Sequence, residues 1–172
     1  MPRPQKNVFN HIAISVPNLD EAVSWYSKVF GFRKMCPDAL MEPEHISALP
    51  ISEIYGPHLR RMKIAFLDFG DGVGLELFEF LDPPYRKPDD SFDYAKGGFF
   101  HVGITVTDPD DTAKVVCENG GKRMGNTLVM GSEKAVYCQD PWGNAVECLS
   151  CGFEQMLLVG RGEGALNMLD GR

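Results

Sequence analysis

Two histidines head similar apolar lines, and each is answered further along the chain by a glutamate in an apolar, strand-like segment. The first line reads His11, Ile12, Ala13, Ile14, Ser15, Val16 and the second His101, Val102, Gly103, Ile104, Thr105, Val106. The glutamates are Glu76, within GLELFEF, and Glu147, within DPWGNAVECL. Two imidazoles and two carboxylates supplied in the same order by a repeated segment make a donor set for a divalent metal ion. Such a set is formally neutral once a dication is bound. Its hard and borderline ligands suit Ni, Co, Mn, Fe or Zn, and an octahedral ion would keep two positions for water or substrate oxygens. Ionised glutamates on otherwise apolar strands are costly without a partner of this kind. The candidate metal ligands are therefore His11, Glu76, His101 and Glu147.

The elements that must carry these residues repeat as well. Alternation puts His11, Ala13 and Ser15 on one face of a strand and Ile12, Ile14 and Val16 on the other. Asn18, with Glu21 three positions on, predicts a helix start. Ala22, Trp25, Tyr26, Val29 and Phe30 follow one helical face, and Gly31 supplies the stop. In the second copy Val102, Ile104 and Val106 form the apolar face. Asp108 caps a helix opening at Pro109, and Ala113, Val116 and Cys117 form its stripe. Strand-like segments follow at 32–36, 63–69 and 74–80 in the first half and at 122–124, 135–138 and 145–149 in the second. Each half thus reads β-α-β-β-β. By parity Glu79 falls on the face opposite Glu76, so the two cannot both point to one site without a bulge.

A module of this size buries little by itself, which predicts that the two halves pair face to face in a curved sheet. The expected organisation is one α+β domain over 1–172, with modules at 8–80 and 99–151, a Pro/Asp/Gly-rich linker at 81–98 and a tail at 152–172. The first module is longer by residues 37–61, whose prolines, histidines and mixed charges read as a long surface loop that covers or shapes a pocket. Tail residues Phe153, Met156, Leu157, Leu158, Leu166, Met168 and Leu169 could dock on the domain or on a second subunit. Five cysteines in no regular pattern read as reduced thiols, and the pair Cys148 and Cys151 as buried rather than metal-binding.

Composition narrows the partners. A net charge of -7 argues against nucleic acid, and 44% hydrophobic with 24% charged residues is ordinary for a globular protein. No segment has the ~20 apolar residues of a membrane helix, and MPRPQKN lacks an apolar segment of signal-peptide type. The expected setting is the cytoplasm, away from membranes.

HIAISVPNLDEAVSWYSKVFGF, MKIAFLDFGDGVGLELFEF, HVGITV and DPWGNAVECL together resemble the vicinal oxygen chelate superfamily. That group includes glyoxalase I, methylmalonyl-CoA epimerase, extradiol dioxygenases and bleomycin resistance proteins. The resemblance implies two βαβββ modules in a U-shaped sheet around a metal, with His11, Glu76, His101 and Glu147 as ligands, and a homodimer as the first expectation. It also implies a glyoxalase-like lyase, isomerase or epimerase. In such enzymes the metal polarises the carbonyl of a small oxygenated substrate and a base removes the neighbouring C–H proton. The base would be a ligand carboxylate, Glu147 or Glu76, or else Glu44, His45, Glu53 or His58 of the 37–61 segment. Arg33, Arg60 and Arg61 could anchor an anionic substrate. An extradiol dioxygenase is the enzymatic alternative, using Fe(II) with Glu76 unbound. The other is a binding protein that holds a planar ligand against its many phenylalanines.

Overall fold

The alternation of the first line folds as strand β1 (His11–Ser15), which lies parallel to β5 (Gly74–Asp82) with His11 opposite Gly74 and Ala13 opposite Glu76. The structure is a computed structural model that describes residues 7–70, 72–87 and 92–159. The chain divides after Pro88 into two units. Between β1 and β5 the first unit contains α1 (Leu19–Phe30), β2 (Arg33–Lys34), β3 (Ala39–Met41), α2 (Pro43–Ser47), α3 (Ile51–Tyr55) and β4 (Arg61–Asp68). Its sheet runs β1-β5-β4-β2, with β3 also antiparallel to β4.

Helix α1 begins as its sequence dictates. Asn18 Oδ1 accepts from Glu21 N at 3.1 Å, and Gly31, at φ 72°, turns the chain out of the helix while its N–H bonds Ser27 O at 3.0 Å. The helix buries Leu19, Ala22, Trp25 and Tyr26 over β4 and β5, where Ala65, Leu67, Leu75 and Leu77 are buried. These sheet residues share one parity. Glu79 belongs to the same set, and its Oε2 accepts from Leu19 N at 2.9 Å and pairs with Lys63 Nζ at 3.1 Å. A carboxylate at the first helical N–H complements the helix dipole. The competitor to Glu76 is thus committed to the helix side, and the ladder runs without a bulge from Phe66 opposite Glu76 to Lys63 opposite Glu79.

The opposite parity carries His11, Glu76 and Phe66 and, further along the strands, Met62, Ile64 and Phe78. Here the reading of 37–61 as a surface loop is corrected. The segment forms β3, α2 and α3, and Ile46 and Leu59 join Met62, Ile64 and Phe78 in a buried cluster, with Phe66 packed against it. Apolar residues spread among the prolines and charges, too far apart for a visible period, made this packing hard to read. The expected strand at 32–36 is likewise reduced to Arg33–Lys34.

The second unit repeats the plan with β6 (Val102–Thr105), α4 (Pro109–Glu118), β7 (Lys122–Met130), β8 (Glu133–Gln139) and β9 (Ala145–Leu149), followed by α5 (Phe153–Val159). Its order, β6-β9-β8-β7, matches that of the first, again with the first and last strands parallel. The observed architecture is therefore α+β, built from tandem βαβββ units. Asp108 accepts from Asp111 N at 2.9 Å, and Pro109 opens α4. Ala113 and Val116 are buried, but Cys117 is exposed, a departure from the expected stripe. It sits in the last turn, which tightens where Asn119 N bonds both Val115 O and Val116 O at 3.2 Å. Strand β7 runs past the expected 122–124 through a register shift between Met124 and Leu128.

Cys138, Cys148 and Cys151 are buried free thiols. The neighbouring Cys138 thiol, with burial, holds the Cys148 thiol well above the ordinary range. In the tail, Phe153, Leu157 and Leu158 of α5 are exposed, while Leu166, Met168 and Leu169 lie outside the described residues. Among the described residues no helix is long and apolar enough to cross a membrane.

Glu79→Ala should lower stability by about 1.5–3 kcal/mol, the usual worth of hydrogen bonds to a charged group. Urea denaturation measures the loss. Unchanged stability would show that the α1 contact contributes nothing.

Candidate functional site

In the first unit the strand register brings His11 and Glu76 together, with His11 Nε2 3.6 Å from Glu76 Oε2. Asn10, just before the strand, places Oδ1 2.6 Å from His11 Nδ1. An amide oxygen only accepts, so Nδ1 carries the hydrogen and, in the neutral ring, Nε2 turns a lone pair toward the carboxylate. Two acceptors facing each other call for a cation or a proton between them. The separation exceeds a normal hydrogen bond. Two atoms each ~2.1 Å from one metal ion at a right angle would stand ~3 Å apart. A metal-binding histidine also commonly donates its other N–H to a carbonyl, the part Asn10 plays here.

The pair borders a cavity of about 240 Å³ whose lining includes Asn10, Met35, Phe66, Asp68 and Gly74. Gly74 stands between His11 and Asp68 in the register, and a Cβ there would come within 3.4 Å of His11 Cβ. The backbone N–H of Gly70 and the Arg33 guanidinium hold the Asp68 carboxyl below its ordinary range.

In the second unit His101 Nε2 lies 3.3 Å from Glu147 Oε2, and Glu147 is opposite Gly103 on β6 and Tyr137 on β8. Tyr137 stands beside Glu147 in the register and meets the His101 ring edge-on at 5.4 Å. Burial, with the adjacent carboxylate, pushes the Tyr137 phenol up to about 12. His101 Nδ1 is buried with no hydrogen-bond partner among the described residues. Each unit thus gathers two candidate ligands, and among the described residues neither gathers a third.

The other candidates are engaged elsewhere. His45 Nδ1 accepts from Glu42 N at 3.3 Å at the start of α2, while Glu44, Glu53 and His58 are exposed. The three arginines considered for an anionic substrate each pair with a carboxylate: Arg33 with Asp68 at 3.1 Å, Arg60 with Asp82 at 3.3 Å and Arg61 with Glu42 at 3.0 Å. Sequence reasoning missed Asn10, Asp68 and Tyr137. Aligning the third strands of the repeat would have found Tyr137, because IAFLD and AVYCQ put Phe66 and Tyr137 opposite equivalent glutamates.

The model of the Glyoxalase/Bleomycin resistance protein/Dioxygenase superfamily matches residues 8–148, and the chain belongs to that superfamily. The 2-epi-5-epi-valiolone epimerase of an Actinomyces species is 27% identical over 171 residues, 87% of this chain and 85% of that protein. Among solved structures, a glyoxalase family protein from Bacillus cereus superposes with a TM-score of 0.72 at 21% identity, covering 87% of this chain and 97% of that one. The fosfomycin resistance protein FosX of Listeria monocytogenes, complexed with Mn(II) and sulfate, gives 0.59 at 12% identity over 89% of this chain and 99% of that one. A mutant glyoxalase I from Zea mays gives 0.54 at 22% identity over 84% of this chain and 45% of that one. These likenesses establish the fold.

Spectrophotometric titration should find a tyrosine ionising near pH 12, absent in Tyr137→Phe. Because the folded value is raised above the ordinary ~10, the associated stability is intact below that pH and is lost as pH rises through about 12. A titration curve unchanged by Tyr137→Phe at high pH would contradict the burial of the Tyr137 phenol beside Glu147.

Proposed function

We propose that the protein is a divalent-metal-dependent isomerase, epimerase or lyase that moves a proton next to the carbonyl of a small oxygenated substrate. The observation that carries this reading is the His11–Glu76 pair, with a ring lone pair aimed at a carboxylate by Asn10, matched by His101 and Glu147 at the same place in the repeat. In this reading the two pairs together hold one metal ion through His11, Glu76, His101 and Glu147. A divalent cation held there supplies Lewis-acid polarisation of the substrate carbonyl. The chain's own part is to accept and return the proton through a ligand carboxylate, Glu76 or Glu147, within hydrogen-bond reach of the reacting carbon.

Several features support this choice over its alternatives. The epimerase-named relative belongs to the same reaction class. Arg33, Arg60 and Arg61, the candidates for an anionic group, are already paired with carboxylates, which favours an uncharged substrate. An extradiol dioxygenase would need Glu76 turned away, whereas its carboxylate shares the sheet face of His11.

Protein purified without a chelating tag should carry stoichiometric Ni, Co, Mn or Zn that is lost in Glu76→Ala and in His101→Ala. Fe(II) retained after Glu76→Ala would instead favour the dioxygenase, and absence of any metal affinity would favour a binding protein. Asn10→Ala should weaken metal binding about 10- to 100-fold, the usual effect of removing the partner of a ligating histidine. Calorimetric titration with Mn(II) measures it, and unchanged affinity would remove Asn10 from the account. During turnover in D₂O, deuterium should enter the substrate at the carbon beside the carbonyl. Turnover without exchange would reject the proton-transfer chemistry.

A further inference from the structure

We propose that the two His–Glu pairs bind unequally: His11 and Glu76 are set to capture a divalent ion, whereas Phe100 leaves His101 in the opposite ring tautomer, so that the second pair takes hold of the ion more weakly. The inference rests on the functional reading above, in which both pairs serve one ion.

The repeat makes the comparison direct. Ala13 stands opposite Glu76 and Gly103 opposite Glu147, so His11 and His101, two positions earlier, are equivalent, and so are the residues just before them, Asn10 and Phe100. Asn10 offers an amide oxygen 2.6 Å from His11 Nδ1. The Phe100 side chain offers no acceptor. Its ring instead meets the His101 ring edge-on with centroids 4.5 Å apart, and Tyr137 meets that ring edge-on at 5.4 Å. His101 Nδ1 is buried, with no hydrogen-bond partner among the described residues.

A neutral imidazole carries one hydrogen, and its surroundings choose the nitrogen. In His11 the amide oxygen draws it to Nδ1 and frees the Nε2 lone pair. In His101 a hydrogen on Nδ1 would be a buried donor without an acceptor, which is costly, whereas Nε2 has a carboxylate oxygen of Glu147 3.3 Å away. The hydrogen of His101 therefore sits on Nε2. To become a ligand through that nitrogen, the ring must give up the Nε2 hydrogen to water and take another at Nδ1, where nothing accepts it. His11 needs no such change. The sequence repeats the ligand types, and the residue before each histidine makes them unequal.

Long-range ¹H–¹⁵N correlation of the imidazoles reads each tautomer directly in metal-free protein at about pH 8.5, above the ordinary histidine range. His11→Ala and His101→Ala assign the signals. His11 should carry its hydrogen on Nδ1 and His101 on Nε2. Phe100→Asn, which supplies the oxygen that Asn10 gives the first ring, should move the His101 hydrogen to Nδ1 and raise Mn(II) affinity about tenfold, the inverse of losing such a partner. His11→Ala should weaken Mn(II) binding about tenfold more than His101→Ala does. The same tautomer in both rings, or equal losses from the two alanine substitutions, would overturn the proposal. So would a Phe100→Asn protein that changes tautomer without gaining affinity. The imidazole spectra need no metal. A parent protein that binds no Mn(II) would therefore reject the functional reading and the unequal binding with it, while the spectra still decide the tautomer of His101. Should Phe100→Asn fail to fold, the parent spectrum and the two alanine variants decide the proposal.

Discussion

A side chain on a β-strand belongs to one face of its sheet, and a shift of one residue sends it to the other. This two-residue period is the constraint on which the molecule depends. In the first unit it assigns Ala65, Leu67, Leu75 and Leu77 to the face under α1 and His11, Phe66 and Glu76 to the opposite one. In the second it sends Val136, Cys138, Val146 and Cys148 to the buried side and Tyr137 and Glu147 to the other. Histidine and glutamate meet in each unit because the first and last strands run parallel and in register. The same parity removes Glu79 from the site and places its carboxylate at the start of α1.

Duplication supplied two such pairs, and their surroundings then diverged. The first has Asn10 behind its imidazole, a glycine beside it and an inserted strand and helices packed on the same sheet face. The second has Tyr137 across from its carboxylate and a buried ring nitrogen with no hydrogen-bond partner among the described residues. The two pairs are chemically unequal although their ligand types match.

The parts legible in the sequence were those governed by short-range rules. Alternation, the Asn18 and Asp108 caps and the Gly31 stop located both halves and their helices, and the paired motifs identified the superfamily and singled out the two His–Glu pairs. Packing at a distance was not legible. Ile46 and Leu59 lie among prolines and charges, and only the fold brings them against Met62 and Phe78. Asn10 and Tyr137 escaped notice because neither belongs to the repeated His and Glu positions, and only the strand register sets them beside those residues.

The central claim is that both histidines serve one metal ion. Electron spin echo envelope modulation of Mn(II)-loaded protein counts the imidazoles bound to each ion, and His11→Ala and His101→Ala assign them. The account predicts two imidazoles on one ion per chain, with one lost in each variant. One imidazole per ion in the parent, or an ion indifferent to either substitution, would contradict it.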